Sequence, residues 1–245
     1  MALWCRDLPI VTVPRRATPT PVTLVLPYYD NPNFLQTQVD VWRRYPVALA
    51  ASLSIVIVDD GSPVPCVRPR DLPCQVRLFR IDVDVRWNWL AARNIGAHHA
   101  AEGWLVLTDM DHVLPTATLE AIVYGAHAPG TVYAFARHEH TGAPLAPHSA
   151  SFLLTRELFW RIGGYDEALS GHYGTDGDYR RRVARVAPMA LLPDVLVRHE
   201  YVGDSSTTRY LRKQPQDAAV KKLIAARRPG WRPRVLSFPY HEVVH

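Results

Sequence analysis

Hydrophobic and polar positions alternate between short β-branched runs and stretches of helical spacing. Val22–Leu26 (VTLVL) reads as a buried strand stopped by Pro27, and Ser54–Val58 (SIVIV) as a second, stopped by Asp59-Asp60-Gly61-Ser62. Between them Phe34, Leu35, Val39 and Trp42 recur about one helical turn apart. Gln75–Ile81 predicts a third strand, Trp89–Ala101 a helix with Asn88 as its candidate cap, and Trp104–Thr108 (WLVLT) a fourth strand running into Asp109-Met110-Asp111. The second half is less regular. Strands are expected over Thr131–Ala136, Ser151–Leu154 and Ala190–Arg198, and helices over Arg156–Ile162, Asp178–Val186 and Gln216–Arg228.

Strand–helix alternation with continuously apolar strands predicts the α/β class: one domain with a mostly parallel central sheet flanked by helices on both faces. The Pro/Arg/Thr-rich stretch before residue 22 reads as an extended lead-in (1–21), residues 22–208 as the domain proper, and 209–245 as a basic C-terminal helix and tail. Within the domain, 22–112 forms a first half and 113–208 a second. Sheets of this class bind ligands at the carboxyl ends of their strands. Three strand ends carry polar, turn-forming text there: PYYDN, DDGS and TDMDH. Carboxylates are being collected along one edge.

Composition narrows the picture. With 48% hydrophobic and 21% charged residues, the 245-residue chain is an ordinary globular one with enough length for a substantial core. Its longest apolar runs are too short to span a bilayer, and Arg6 and Asp7 interrupt any secretory apolar segment. A cytoplasmic protein without a transmembrane segment is expected, with peripheral contact to a membrane surface left open. Cys5, Cys66 and Cys74 show no metal-binding spacing and cannot all pair, so free thiols are expected. Nine Lys/Arg against two acids give residues 209–245 a net charge of +7, so the remainder sums to −2. Such a tail suits either an anionic partner or a solvated helix face.

The acidic motifs suggest chemistry. Asp109 and Asp111 flank one residue at a strand end and offer hard oxygen ligands to Mg²⁺ or Mn²⁺. Asp59-Asp60-Gly61-Ser62 permits a tight turn whose carboxylate either accepts from a base or ribose, or makes an Asx turn. In GGYDEALSGHYGTDGDYRRR (163–182), paired glycines suggest close backbone approach, and Asp176 and Asp178 precede an Arg-rich helix. Either acid serves as an N-cap or as a general base; the two roles are compatible.

Five segments (VTLVLPYYDN, SIVIVDDGSP, AARNIGAHHA, WLVLTDMDHVLP and IGGYDEALSGHYGTDGD) resemble, in order and spacing, the GT-A fold glycosyltransferases, most closely the inverting family 2. The GGYDE…HYGTDGD stretch also resembles galactosyl- and N-acetylgalactosaminyltransferases. The likeness runs from about residue 22 to 200, roughly three quarters of the chain. It implies transfer of a hexose or N-acetylhexosamine from a nucleoside-diphosphate sugar, most often a UDP-sugar, to an acceptor hydroxyl with Mn²⁺ or Mg²⁺ present. Glycan, lipid-linked, small-molecule and modified nucleic-acid acceptors all stay open.

Residue by residue, the resemblance implies that Pro27 and Tyr28 flank the base while Asp59 or Asp60 reads its edge. Arg93 and Asn94 would lie near the phosphates or ribose, and Asp109 would hold the ribose or donor sugar. Asp111 would bind the metal, with His199 as a further metal or phosphate contact, and Asp176 would stand in the place of the catalytic base. Tyr173, Gly164 and Asp178 fall on the acceptor side. Arg209, after the Gly/Ser/Thr stretch 203–208, belongs either to a loop closing on the diphosphate or to an ordinary surface loop. The chain departs from the family pattern at Thr175, where an acid usually precedes the base, and at His112, where a third Asp is frequent. A Gln-x-x-Arg-Trp motif is absent, which argues against a processive synthase. Rival readings are a retaining transferase of the same fold, a sugar nucleotidyltransferase, and a non-catalytic nucleotide or nucleic-acid binding module. PYYDNP stands where a nucleotidyltransferase carries its Gly-rich phosphate loop.

Overall fold

Four parallel strands make the centre of the molecule, and their order explains where the acidic turns meet. The computed structural model describes residues 5, 7–199 and 218–244. β1 (Val22–Tyr28) lies between β2 (Leu53–Asp59) and β4 (Trp104–Leu107), and β3 (Gln75–Ile81) flanks β2, all parallel. Residues such as Leu24, Val25, Ile57 and Val106 are fully buried, as expected of strands covered on both faces. Helix α1 (Pro32–Trp42) joins β1 to the short α2 (Val47–Ala50), and α3 (Trp89–His99) joins β3 to β4. Asn31 caps α1 by accepting from the Phe34 amide. Asn88 does not cap α3 through its side chain, contrary to expectation.

Beyond β4 the sheet becomes mixed. β8 (Phe152–Thr155) pairs antiparallel with β4, then β6 (Val132–Glu139) and β9 (Met189–Arg198) follow as a parallel pair. Two-residue strands β5 (His112–Val113) and β7 (Pro144–Leu145) border β9 and β6. Helices α4 (Thr116–Tyr124), α5 (Arg156–Ile162) and α6 (Asp176–Val186) complete this half, with a 3₁₀ turn at Glu167–Leu169. Helix α7 (Ala218–Ala225) and β10 (Tyr240–Glu242) follow, the latter pairing antiparallel with β3 at the sheet edge. The predicted α/β sheet is therefore present, with its parallel core on the amino-terminal side.

Three differences concern the ends and the middle. The lead-in is extended, but it packs: Val11 donates to the Leu191 carbonyl, Arg16 to that of Tyr124, and Cys5 is buried. α4 was not expected, because Thr116–Tyr124 shows little segregation of apolar and polar positions. β10 was not expected either, because Tyr240–Glu242 is too short to show alternation. Among the described residues, no helix is long and apolar enough to cross a membrane.

Candidate active site at the carboxyl ends of the strands

The turn after β2 is built around Asp59. Its buried carboxylate accepts from the Ser62 amide at 2.8 Å, the Cys66 amide at 2.9 Å and Arg80 Nη1 at 2.6 Å. Gly61 adopts φ +76° and lies so close to the neighbouring backbone that a Cβ would clash with the Val83 carbonyl. Asp59 is therefore spent on the loop and does not read a base edge, which corrects that alternative. Asp60 differs. Its Oδ1 is buried and has no hydrogen-bond partner among the described residues. Burial, then the charges of Asp59 and Asp84, push its pKa well above the usual carboxylate range, opposed by a hydrogen bond from the Asn88 backbone.

Asn88 is fully buried, and neither its Oδ1 nor its Nδ2 has a partner among the described residues. Buried polar groups are rarely left so. Asp60 and Asn88 thus form one unsatisfied polar pair beside Asp84, which itself accepts from the Tyr29 hydroxyl at 3.1 Å. Sequence reasoning missed Asp84 and gave Asn88 only a capping role. The signal was available: β3 also ends in acidic text, Asp82-Val83-Asp84. Pro27 is half-buried at the edge of this region, whereas the Tyr28 ring packs in the main core. Tyr28 cannot offer its ring to a base, a second correction.

Two strand spacings from the end of β2, about 10 Å away, β4 delivers Asp109 and Asp111. Arg93 is fully buried on α3 and donates from Nη2 to Asp109 Oδ1 at 2.5 Å and from Nη1 to the Tyr165 hydroxyl at 3.1 Å. It reaches the site through Asp109 rather than as a surface contact, as its complete burial requires. His148 Nε2 lies 3.4 Å from Asp109 Oδ2, and its ring stacks on His112 with centroids 4.5 Å apart. Burial, then the His112 charge, lowers the His148 pKa far below its usual value. His148 gave no sequence signal, because it sits in the irregular text APHSAS.

Asp111 Oδ1 is 2.6 Å from His112 Nδ1, and its Oδ2 lies 3.7 Å from Arg198 Nε. Burial alone would raise its pKa, but the His112 hydrogen bond and the nearby His112, His148 and Arg198 charges outweigh it and keep the group ionised. The His199 amide donates to the Asp111 carbonyl at 2.8 Å, so the pairing of β5 with β9 brings these two residues together. Burial, then the stacked His140, shifts the His199 imidazole toward its neutral form. Among the described residues no three His, Cys, Asp or Glu side chains converge as a metal cage. An anionic carboxylate beside a neutral imidazole still fits a divalent cation whose other ligands come from a diphosphate and water.

Asp176 opens α6, where its Oδ2 accepts from the Ser149 hydroxyl at 3.0 Å. It is half-exposed, and it acts electrostatically on the same Arg93 and Tyr165 that feel Asp109. Neither Asp176 nor Asp178 is the cap of α6; that position is Thr175, whose side chain makes no capping bond. Tyr173 stands nearby with its ring tilted against Trp87 at 5.2 Å.

Three expected contacts are corrected. Asp178 is buried and accepts from Arg227 and Arg182, so no carboxylate oxygen is left for an acceptor. Gly164 is buried at φ +62°, and a Cβ there would meet Asn94 Oδ1 at 2.8 Å, so it serves close packing. Asn94 is fully buried, with its amide bonded both ways to the Tyr165 backbone and to Glu167. Arg209 and the 203–208 stretch lie outside the described residues. A separate cavity of about 210 Å³ opens at the opposite edge of the sheet, near Thr23, Ser54 and Arg77, away from these carboxylates.

A sequence model described as glycosyl transferase family 2 matches residues 23–179. No curated protein matches the sequence. Among solved structures, TarS 1-349 of S. aureus in complex with UDP-GlcNAc is similar with a TM-score of 0.60 at 13% identity, over 78% of this chain and 62% of that one. The mannosyltransferase PcManGT of Pyrobaculum calidifontis, in complex with GDP-Man and Mn²⁺, gives 0.55 at 17%, over 91% and 72%. GalNAc-T7 with UDP, GalNAc and Mn²⁺ gives 0.52 at 15%, over 84% and 48%. The chain thus spans less than two thirds of TarS 1-349 and about half of GalNAc-T7. At these identities the structural likeness speaks to the fold alone.

Proposed function

The chain belongs to glycosyl transferase family 2, and on that premise we propose that it moves a hexose or N-acetylhexosamine from a UDP-sugar to an acceptor hydroxyl, with inversion. The observation that supports this most is the shared edge of the sheet: Asp60 follows β2, Asp109 and Asp111 follow β4, the two parallel strands that flank β1, and Asp176 acts on the Arg93 that holds Asp109. In this reading the unsatisfied Asp60 and Asn88 receive the base, whose N–H and carbonyl groups complement a carboxyl and an amide. Pro27 borders that base. Asp109, fixed by Arg93, orients ribose or the donor sugar.

Asp111 and His199 would hold Mn²⁺ or Mg²⁺. Such a cation, when bound, neutralises charge that builds on the departing diphosphate. The remaining work falls to the chain. Asp176 is half-exposed at the start of α6, held by Ser149, and would take the acceptor proton as the hydroxyl attacks the anomeric carbon. Tyr173 would give the acceptor an apolar face. Lys221, Lys222, Arg228 and Arg232 remain exposed on the C-terminal segment and would suit an anionic acceptor or surface.

A donor panel read by thermal shift in the presence of Mn²⁺ tests the reading, because a ligand bound only by the native state raises its stability. UDP or one UDP-sugar should raise Tm by several degrees, and omitting Mn²⁺ should reduce the rise. A panel in which no nucleotide sugar shifts Tm with either metal would remove the proposal.

A further inference from the structure

The segment after α7 is not a loose tail. Residues 227–243 run back across the molecule and meet three buried acids, Asp166, Glu167 and Asp178. Arg227 is the centre of this contact. Its Nη1 donates to Asp178 Oδ1 at 2.5 Å, and its Nη2 donates to Asp166 Oδ2 at 2.6 Å and to Asp178 Oδ2 at 3.2 Å. The guanidinium also lies 3.6 Å from the centre of the Trp231 ring, and only 14% of the side chain is exposed. Asp166 opens the 3₁₀ turn after the paired glycines, and Asp178 sits two residues after Asp176 in the first turn of α6. One planar cation therefore joins the start of the 165–175 loop to its end.

The rest of the segment reinforces the same loop. The Asp166 carboxylate accepts from the Arg234 amide at 3.0 Å, and Glu167 accepts from the amides of Leu236 and Ser237 at 2.7 Å. Glu167 also accepts from Asn94 on α3, the neighbour of Arg93. Pro233 and Val235 cover Gly163 and Gly164, where a Cβ would come within 2.9 and 3.2 Å of them. Burial would raise the Asp178 carboxyl, but Arg227 and Arg182 outweigh it and hold it ionised. These are charge-assisted bonds in a planar, two-sided arrangement that Lys cannot reproduce.

We infer that Arg227 is a positioning residue for transfer: by bridging Asp166 and Asp178 it fixes the first turn of α6 and so aims the Asp176 carboxylate. The inference rests on the proposed base role of Asp176. It does not concern the donor pocket, whose residues lie at the carboxyl ends of β1, β2, β4 and β9 and on the first turns of α3. Removing Arg227 should therefore act on kcat and spare donor binding. A misplacement of about 1 Å in a reacting group can cost on the order of 100-fold in rate.

The test uses the full chain, first shown to transfer sugar in its native form; a native chain that releases no UDP with any acceptor removes the function reading itself. Arg227→Ala should then lower kcat by about 30- to 100-fold while donor KM stays within about twofold. Amide hydrogen exchange across 164–178 should accelerate, a readout independent of activity. Millimolar guanidinium should restore part of kcat, which general loosening of the fold would not allow. Arg227→Lys keeps the charge without the bridge and should fall between the two, which keeps the test valid where the Ala variant folds poorly. Native kcat in either variant, unchanged exchange across 164–178, or equal losses of kcat and donor affinity without rescue by guanidinium would each overturn the inference.

Discussion

Asp176→Asn is expected to lower kcat by about 10²- to 10⁴-fold, the usual contribution of a positioned general base, with UDP and Mn²⁺ affinity left near native. Asn keeps the shape and still accepts a hydrogen bond from the Ser149 hydroxyl, so α6 has no reason to move. What it cannot do is take a proton. Asp176 is the acid best suited to that task, because Asp178 in the same turn is committed to Arg182 and Arg227. Steady-state kinetics with calorimetry of UDP binding separates the two effects. Near-native turnover in this variant would show that the base is elsewhere.

Asp111→Ala carries the second large effect, on the donor side. The variant removes an ionised carboxylate that acts on His199, and metal-dependent UDP binding should weaken by at least about 100-fold, since even outer-sphere changes around a bound metal cost 10- to 100-fold. Metal-independent binding through Asp60 and Asn88 should persist weakly. Calorimetry with UDP, with and without Mn²⁺, reads both. His112 and Arg198 would each lose an anionic partner, so the melting temperature must be measured alongside. Loss of UDP binding in the absence of metal as well would mean that the change disturbs the fold rather than the metal contact.

Much of this architecture was written in local sequence. Strands such as VTLVL and SIVIV are buried on both faces, and their apolar runs and polar stops are visible without tertiary information. The acidic strand ends were visible for the same reason. The functions of individual polar residues were less visible, because each depends on a partner distant in sequence. Asp59 and Asp60 are adjacent and identical in type. Only Arg80, twenty-one positions away, and the amides of Ser62 and Cys66 make the first structural, while one carboxyl oxygen of the second has no partner among the described residues. Asn94 and Gly164 looked like site residues because they lie in the right motifs. Their burial comes from Tyr165, Glu167 and Val235.

The basic tail is the clearest case of sequence reading the charge and missing the geometry. Composition counted Arg227 with the other cations of residues 209–245, whereas the fold spends it on Asp166 and Asp178. No periodicity in 226–243 announces a segment that crosses the molecule and ends as an edge strand. Its contacts are mainly backbone amides meeting buried carboxylates, which leave no pattern in the segment itself.

Crystals grown with UDP and Mn²⁺, measured for anomalous scattering at the manganese edge, test the central claim most directly. A single strong peak is expected against the Asp111 carboxylate, in reach of His199 and of both phosphates, with the uracil ring seated on Asp60 and Asn88. A nucleotide bound away from the carboxyl ends of β1, β2 and β4, or a manganese peak remote from Asp111, would contradict the account.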